Sequence, residues 1–344
     1  MSRPMNALYR NAGFLCVAAM VLAACSENTT TPTPRGTSPS SASLDQSPEF
    51  NSPNGQGHLF RTRQWYEQNA RPGGGGGGGG NTGIFYHGGP VLLGGTHVVA
   101  IYWAADRIYV NGPDAGTSGA GTGDGSVVGF FLQHFASPYF NINSTYFDGN
   151  NNHVSNTVFY DHYWANNNNV PTGTQSVSDA DMMAMLDYGF DHNQITYSAN
   201  TIYLIFTAGK VNLGGGFGSS YCAYHGYDTT QHGRVLYAAL PYDAAYPGSC
   251  NVISTSANGD LGADSEVNTL AHETEEATTD PLLNAWFDRR GQENADKCAW
   301  KFGSTYTAAN GMPANMNLGG KDFLVQMNWV NAGSGGCAQS YTTP

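Results

Sequence analysis

Hydrophobic and polar positions follow strand and helix periods over most of the chain after residue 83. Runs rich in β-branched and aromatic residues predict buried strands, and apolar residues at helical spacing predict helices. The predicted strands cover residues 90–104, 153–165, 201–208 and 234–242, and the predicted helices cover residues 126–137 and 176–190. This order of elements predicts an α+β single domain in which a mixed β-sheet is flanked by helices.

The first 24 residues have the pattern of a signal peptide. Arg3 and Arg10 precede an apolar run from Ala12 to Ala24, which is too short to span a bilayer but has the size of a signal-peptide core. The run ends in LAAC, which resembles the lipobox of bacterial lipoproteins, where the cysteine, here Cys25, is lipidated and begins the mature chain. An ordinary signal peptide with a chance cysteine is the alternative. Both interpretations predict export, and the first predicts a membrane-anchored lipoprotein at the cell surface or in the periplasm.

Residues 25–82 have the composition of a disordered linker. The segment begins with SENTTTPTPRGTSPSSAS and ends in eight consecutive glycines, Gly73 to Gly80. Such a composition cannot bury enough apolar surface to offset the entropy of the chain. A short helix at residues 58–68 is compatible with the sequence, although nothing there requires one. We therefore expect a lipid-anchored linker over 25–82 and a folded domain over 83–344.

The cysteines fit an oxidising compartment. Cys16 would leave with the signal peptide and Cys25 would carry lipid, so four cysteines remain. These four are Cys222, Cys250, Cys298 and Cys337. They allow three pairings, of which we favour the sequence-local one, Cys222 with Cys250 and Cys298 with Cys337. A four-cysteine zinc site is the less favoured alternative, because no close Cys-x-x-Cys pair is present.

The charge balance limits the possible partners. A formal net charge of −12 leaves no basic stripe that could neutralise phosphates, so nucleic acid is not an expected partner. The expected partners are an extracellular peptide, protein or glycan, and the membrane is contacted only through the N-terminal lipid.

The stretch NTLAHETEEATTDPLLNAW predicts an acidic helix with a candidate metal site. His272 and Glu276 are four residues apart and Glu273 flanks them, so all three fall on one side of a helix, opposite its apolar face. This zincin-like helix is similar to the His-Glu-x-x-His helix of zinc proteases, with glutamate in the fifth position. Glu273 would then act as general base on water at the metal. Glu293 and Asp296, which are 17 and 20 residues beyond Glu276, are both candidates for the third ligand.

The identity of the metal stays open at this point. One histidine with two carboxylates is a hard, anionic site, so zinc is the first expectation and manganese or calcium are alternatives. A solvated acidic face without metal is the competing interpretation, with Arg289 and Arg290 as the counter-charges. His225 and His232, expected in a loop, could add a ligand or orient a substrate.

Several segments resemble the phosphate-induced protein 1 family, the exordium-like secreted proteins of plants and their bacterial relatives. AHETEEATTDPLLNAWFD followed by ENADKC carries the resemblance, together with YHGGPVLLGGTHVVAIYW, TIYLIFTAGKV and YCAYHGY. The resemblance covers roughly residues 84–340 and implies a secreted protein with this family's fold. It implies no particular enzyme activity.

Two functions from different classes fit these features. The first is a surface-tethered, metal-dependent hydrolase, peptidase-like, in which His272, Glu276 and Glu293 or Asp296 hold the metal and Glu273 is catalytic. The second is a non-catalytic cell-surface, carbohydrate-binding or wall-binding protein whose acidic site holds a structural metal or is salt-bridged.

The lipobox makes one expectation directly testable. Mass spectrometry of the mature protein should find an N-terminal Cys25 that carries lipid. An unmodified Cys25, or a mature chain that begins elsewhere, would reject the lipoprotein assignment.

Overall fold

A computed structural model describes residues 57–69, 83–172, 176–209 and 211–342. The expected signal peptide, Cys25 and the glycine run lie outside these residues. Within them, no helix is both long enough and apolar enough to cross a membrane.

A seven-stranded mixed sheet forms the centre of the domain, as the α+β prediction requires. Its strand order is β1-β7-β8-β6-β3-β5-β4. The strands are β1 (Gly57–Arg61), β3 (Thr96–Trp103), β4 (Ser118–Ala120), β5 (Val158–Trp164), β6 (Thr201–Thr207), β7 (Tyr221–Thr230) and β8 (Gly233–Leu240). The four strands β8, β6, β3 and β5 run parallel, whereas β1 and β7 on one side and β4 on the other run antiparallel to their neighbours.

Helices cover both faces of the sheet. The described helices are α1 (Arg63–Asn69), α2 (Val127–His134), α3 (Asp179–Asp191) and α4 (Leu261–Thr279). Apolar residues of α2 and α4 pack on one face, and those of α3 pack on the other. Because both faces are covered, the central strands read as continuous apolar runs, and β6 is buried at every residue.

Local signals explain where two of these helices begin. Ser178 and Asp181 form the predicted capping box, in which each side chain accepts from the other residue's backbone N–H. Asp260 caps α4 by accepting from the backbone N–H of Ala263 at 3.1 Å.

Short two-stranded ribbons surround the C-terminal part of the domain. They are built from β2 (Phe85–Tyr86) with β9 (Trp286–Phe287), β10 (Tyr306–Thr307) with β11 (Pro313–Ala314), β12 (Met316–Leu318) with β13 (Lys321–Phe323), and β14 (Asn328–Val330) with β15 (Gly336–Ala338). Phe323 and Val325 of this region belong to the same apolar core as Val267 and Leu270 of α4.

The folded domain begins earlier than the sequence predicted. Residues 57–69, assigned to the linker from composition, form β1 and α1, so the domain boundary at residue 83 and the linker assignment are wrong for this segment. Every residue of β1 is buried. The physical reason is pairing with β7, because the short run from Leu59 to Phe60 gains burial from a sheet edge that is distant in sequence.

The structure confirms the sequence-local disulfide pairing. Cys222 is bonded to Cys250, and Cys298 is bonded to Cys337. The first bond links β7 to the loop before α4, and the second links the loop after α4 to β15.

We predict that reduction will destabilise the domain. The bonds close loops of 28 and 39 residues in sequence separation, and loops of this length correspond to about 2–4 kcal/mol each. Thermal unfolding with and without reductant measures the effect, with full thiol labelling as the control for reduction. An unchanged melting temperature in the fully labelled protein would contradict the prediction.

Candidate metal centre

Helix α4 is buried on all sides, including its acidic residues. His272, Glu273, Glu275 and Glu276 all have 0% exposure. The interpretation as a solvated acidic face is therefore wrong, since an unpaired carboxylate in a protein interior is strongly unfavourable. Their counter-charges and hydrogen-bond donors must come from elements that pack against the helix.

Four parts of the chain bring titratable side chains to one side of α4. His58 of β1 and His225 of β7 lie directly opposite each other in the antiparallel register, so both rings stand on the sheet face that carries α4. Glu276 approaches from α4, and Glu293 approaches from the loop that follows it. All four side chains have 0% exposure.

The two oxygens of Glu276 face different partners. Oε2 lies 3.4 Å from His58 Nδ1 and 3.5 Å from His225 Nδ1. Oε1 lies 3.2 Å from His272 Nε2 and accepts from the backbone N–H of Asp296 at 3.0 Å. Oε1 therefore accepts from the backbone of Asp296 and lies beside His272, which leaves Oε2 directed at the two histidines of the sheet.

Glu273 orients His225. Its Oε2 lies 3.1 Å from His225 Nδ1, so this ring nitrogen carries a proton and donates to the carboxylate. Nε2 of the same ring then bears a lone pair, and it lies 3.6 Å from Glu293 Oε2 without the alignment of a hydrogen bond. A carboxylate that fixes one nitrogen of an imidazole is the usual support of a metal-binding histidine.

Gln326 assigns the opposite arrangement to His272. The Gln326 oxygen accepts from the backbone N–H of Trp300 at 3.3 Å, and its NH₂ donates to the carbonyl of Ala295 at 3.0 Å. In this orientation the second N–H of the Gln326 side chain points to His272 Nδ1, which lies 3.0 Å from the amide nitrogen. His272 therefore carries its ring proton on Nε2 and donates it towards Glu276. This pattern favours a supporting role for His272 rather than direct ligation.

Asp296 supports the ring of His58. Its Oδ2 lies 3.2 Å from His58 Nε2, while its Oδ1 accepts from the Tyr66 hydroxyl at 2.7 Å. With Nε2 facing this carboxylate, Nδ1 of His58 faces Glu293 Oε1 at 3.1 Å and Glu276 at 3.4 Å.

The pKa shifts of the two sheet histidines have opposite signs. Burial lowers the pKa of His225 to about 3, so this ring is neutral at pH 7. Burial also acts against the charged form of His58, but the negative charges of Glu293 and Asp296 raise the His58 pKa well above its usual value. Without a metal ion, His58 is therefore a cation.

The carboxylates also differ from one another. Burial opposes ionisation of Glu276, but His272 and His58 together hold its pKa below the usual range. Burial raises the pKa of Glu273 and of Glu293 well above the usual value, and the negative charge of Glu276 contributes to both shifts. Four carboxylates thus compete for too few positive charges, and a divalent cation could replace the protons that they retain.

The donor set fits a divalent metal ion. His58, His225, Glu276 and Glu293 each offer one ligand atom, and these atoms lie within 4.8 Å of one another. Two ligands of a tetrahedral zinc ion are separated by roughly 3.3 Å. His58 Nδ1 lies 3.4 Å from Glu276 Oε2 and 3.1 Å from Glu293 Oε1, and His225 Nε2 lies 3.6 Å from Glu293 Oε2. His272, Glu276 and Asp296 form a second, overlapping group.

The remaining acidic residues near the end of α4 have other partners. Asp280 accepts from the backbone N–H groups of Asn284, Ala285 and Trp286 and so closes the turn after the helix. Arg289 and Arg290, considered as counter-charges from the sequence, are exposed, whereas the carboxylates of α4 are buried.

The structure brings all five sequence-predicted residues into one cluster. His272, Glu273 and Glu276 come from α4, and Glu293 and Asp296 from the loop after it. His225 is in strand β7 and not in the expected loop, and His232 lies outside the cluster, 2.9 Å from Asp191.

His58 is the residue that sequence reasoning missed. The only signal was its place in HLFR, where two adjacent apolar residues stand between polar ones in a segment of linker composition. His225 was considered, but strand pairing rather than local sequence shows that it faces α4.

Two adjacent glutamates provide a matched test of this geometry. Glu275 contacts the neutral amide of Asn328, whereas Glu276 contacts three histidines. Glu275→Gln should change the free energy of unfolding by about 1 kcal/mol at most. Glu276→Gln should cost about 3–5 kcal/mol, because it removes one partner from a buried charge network. Denaturant unfolding of the two variants measures the difference, and equal effects would contradict the assignment.

Comparison with known proteins identifies the family. A search of curated proteins found no match. A search of solved structures found none either. The family model described as phosphate-induced protein 1 conserved region matches residues 132–322, which include every cluster residue except His58. Because this match covers more than half of the chain, the chain belongs to the phosphate-induced protein 1 family.

Proposed function

We propose that this protein is an exported, surface-tethered domain that holds one divalent metal ion in its interior. His58 Nδ1, His225 Nε2, Glu276 Oε2 and a Glu293 oxygen would be the ligands. The observation that carries the proposal is the convergence of these four groups from β1, β7, α4 and the following loop in a cluster with 0% exposure.

The supporting residues strengthen this assignment. Asp296 faces the far nitrogen of His58, Glu273 holds the far nitrogen of His225, and His272 faces the far oxygen of Glu276. Such outer partners fix the orientation and the proton positions of metal ligands. Glu293 is the exception, since both of its oxygens lack a hydrogen-bond partner among the described residues.

With four protein ligands, the proposed ion would be structural. Four protein ligands complete a tetrahedral zinc site, whereas catalytic zinc sites keep one position open. Two imidazoles and two carboxylates suit zinc better than calcium or magnesium, which prefer oxygen ligands. Because the ligands come from distant parts of the sequence, the binding free energy would stabilise the fold directly. The protein would then act as a non-catalytic surface domain that contacts an extracellular protein or glycan.

A metal-dependent hydrolase is the second candidate. Glu273 Oε1 is buried at the cluster and makes no hydrogen bond with any described residue. It could take a proton from water if the metal had an open position. A peptide is the substrate class that the zincin-like helix suggests.

The two disulfides support export. Both bonds are formed in the structure, and such bonds persist mainly in oxidising compartments. Anchoring through lipid at Cys25 remains part of the proposal, since Cys25 lies outside the described residues.

Metal analysis of the purified protein tests the proposal. We expect one zinc ion per chain. His225→Ala should lose the ion, while His272→Ala should keep it with affinity reduced about 10–100-fold, as is usual for a supporting residue. His232→Ala is the matched control and should behave as wild type, because this histidine is outside the cluster. Wild-type protein without stoichiometric metal would refute the proposal.

Glu273→Gln separates the two candidate functions. The variant should retain the ion in either case. If the wild type hydrolyses peptides, the variant should lose about 10²–10⁴-fold in rate, because its general base is missing. If the metal-loaded wild type hydrolyses no peptide, the metal ion is structural and the first candidate function is supported.

A further inference from the structure

Strand β1 differs from the other elements that supply metal ligands. His225, Glu276 and Glu293 lie within the region matched by the family model, residues 132–322, whereas β1 ends at Arg61, well before that region. Both disulfides join residues after 221.

Strand β1 lies at the edge of the sheet, in the position that a peptide takes when it adds to a sheet as a further strand. It pairs with β7 alone, at the edge of the sheet, and its register places His58 opposite His225. A sheet edge presents unpaired N–H and C=O groups, to which an extended peptide can add as a further strand. Residues 57–61 occupy that position on β7.

Side chains of this segment cover the metal cluster. Phe60 stacks between the rings of His272 and Trp300, with centroid distances of 3.9 and 4.6 Å. Tyr66 of α1 donates to Asp296 at 2.7 Å. The segment thus closes the cluster and also provides the fourth ligand.

We propose that the β7 edge beside the metal is a docking site for an extended peptide, and that β1 is its built-in occupant. This inference rests on the metal centre proposed above. When β1 leaves, His58 leaves with it, and His225, Glu276 and Glu293 remain as three protein ligands with one open position, the number typical of catalytic zinc sites. The closed structural centre and the hydrolase are then two states of one protein.

The chemistry of the incoming peptide follows from what β1 presents. Backbone groups of an extended chain would replace the pairing along β7. The side chain at the position of His58 meets the metal, and the one two residues later meets the rings of His272 and Trp300. An aromatic residue at that second position is therefore favoured.

Hydrogen exchange of the wild-type protein tests whether β1 is separable. After removal of the metal with a chelator, the amides of residues 57–61 should lose protection at least about tenfold more than those of β6. The reason is that the proposed bond between His58 and the metal helps to hold β1 at the edge of the sheet, whereas β6 lies in its centre. Equal loss in both strands, or unchanged protection of β1, would overturn the proposal.

Ligand binding to the cobalt-loaded full chain tests the open position. Acetohydroxamate, a small metal-binding probe, should change the visible spectrum of His58→Ala but not that of wild type, with an apparent affinity at least about tenfold higher in the variant. His232→Ala is the control and should exclude the probe as wild type does. A His58→Ala protein that loses its metal altogether, or that holds metal and excludes the probe, would overturn the proposal.

A second variant covers the case in which His58→Ala does not fold. Phe60→Ala retains every ligand and removes only the stacked ring that holds β1 on the cluster, so it should admit the probe more readily than wild type. A folded Phe60→Ala that excludes the probe rejects the proposal. If neither variant folds, the exchange experiment on wild type decides. Absence of metal from wild type refutes the metal centre itself, whereas a metal-loaded protein that never opens refutes only the role of β1.

Discussion

Buried negative charge on α4 is the constraint on which the rest of this structure depends. A carboxylate removed from water needs a counter-charge, a proton or several donors, and without them the folded state loses several kcal/mol per group. Glu273 and Glu276 are buried on the helix, and Glu293 and Asp296 approach from the loop after it. Three histidines surround them, but burial keeps His225 uncharged at pH 7. A divalent ion would supply positive charge where the carboxylates otherwise retain protons.

The topology of the sheet places His58 and His225 next to the buried carboxylates of α4. The parallel centre of the sheet is covered on both faces, whereas the antiparallel edge formed by β7 and β1 lies next to the acidic end of α4. In that antiparallel pair, His58 and His225 occupy opposed positions and therefore project from the same face. The disulfides hold β7 and the loop after α4 in place, because Cys222 is three residues before His225 and Cys298 is two residues after Asp296. Backbone pairing and covalent bonds therefore hold His225 and the loop with Glu293 and Asp296 close to α4.

Coordination number links this geometry to function. A site with four protein ligands stabilises a fold, and a site with three leaves room for a substrate or water. In the proposed centre the fourth ligand would come from an edge strand outside the residues that the family model matches. Under this proposal, the position of one strand decides between a stable surface domain and an enzyme. Glu273 has a place in both arrangements, since one oxygen orients His225 and the other is directed at the cluster.

The sequence by itself determined the local features of this protein. Periodicity and capping located β3, α2, α3 and β6, the spacing of His272, Glu273 and Glu276 marked the acidic helix, and cysteine positions predicted both disulfides. These features depend on residues close together in the chain, so their signals are local. The tertiary structure alone decided that α4 is buried on every side, that His58 completes the cluster, and that Gln326 sets the proton of His272. Each of those depends on contacts between segments far apart in sequence, where the register of a strand pair or the orientation of one amide is fixed by neighbours that no local pattern records.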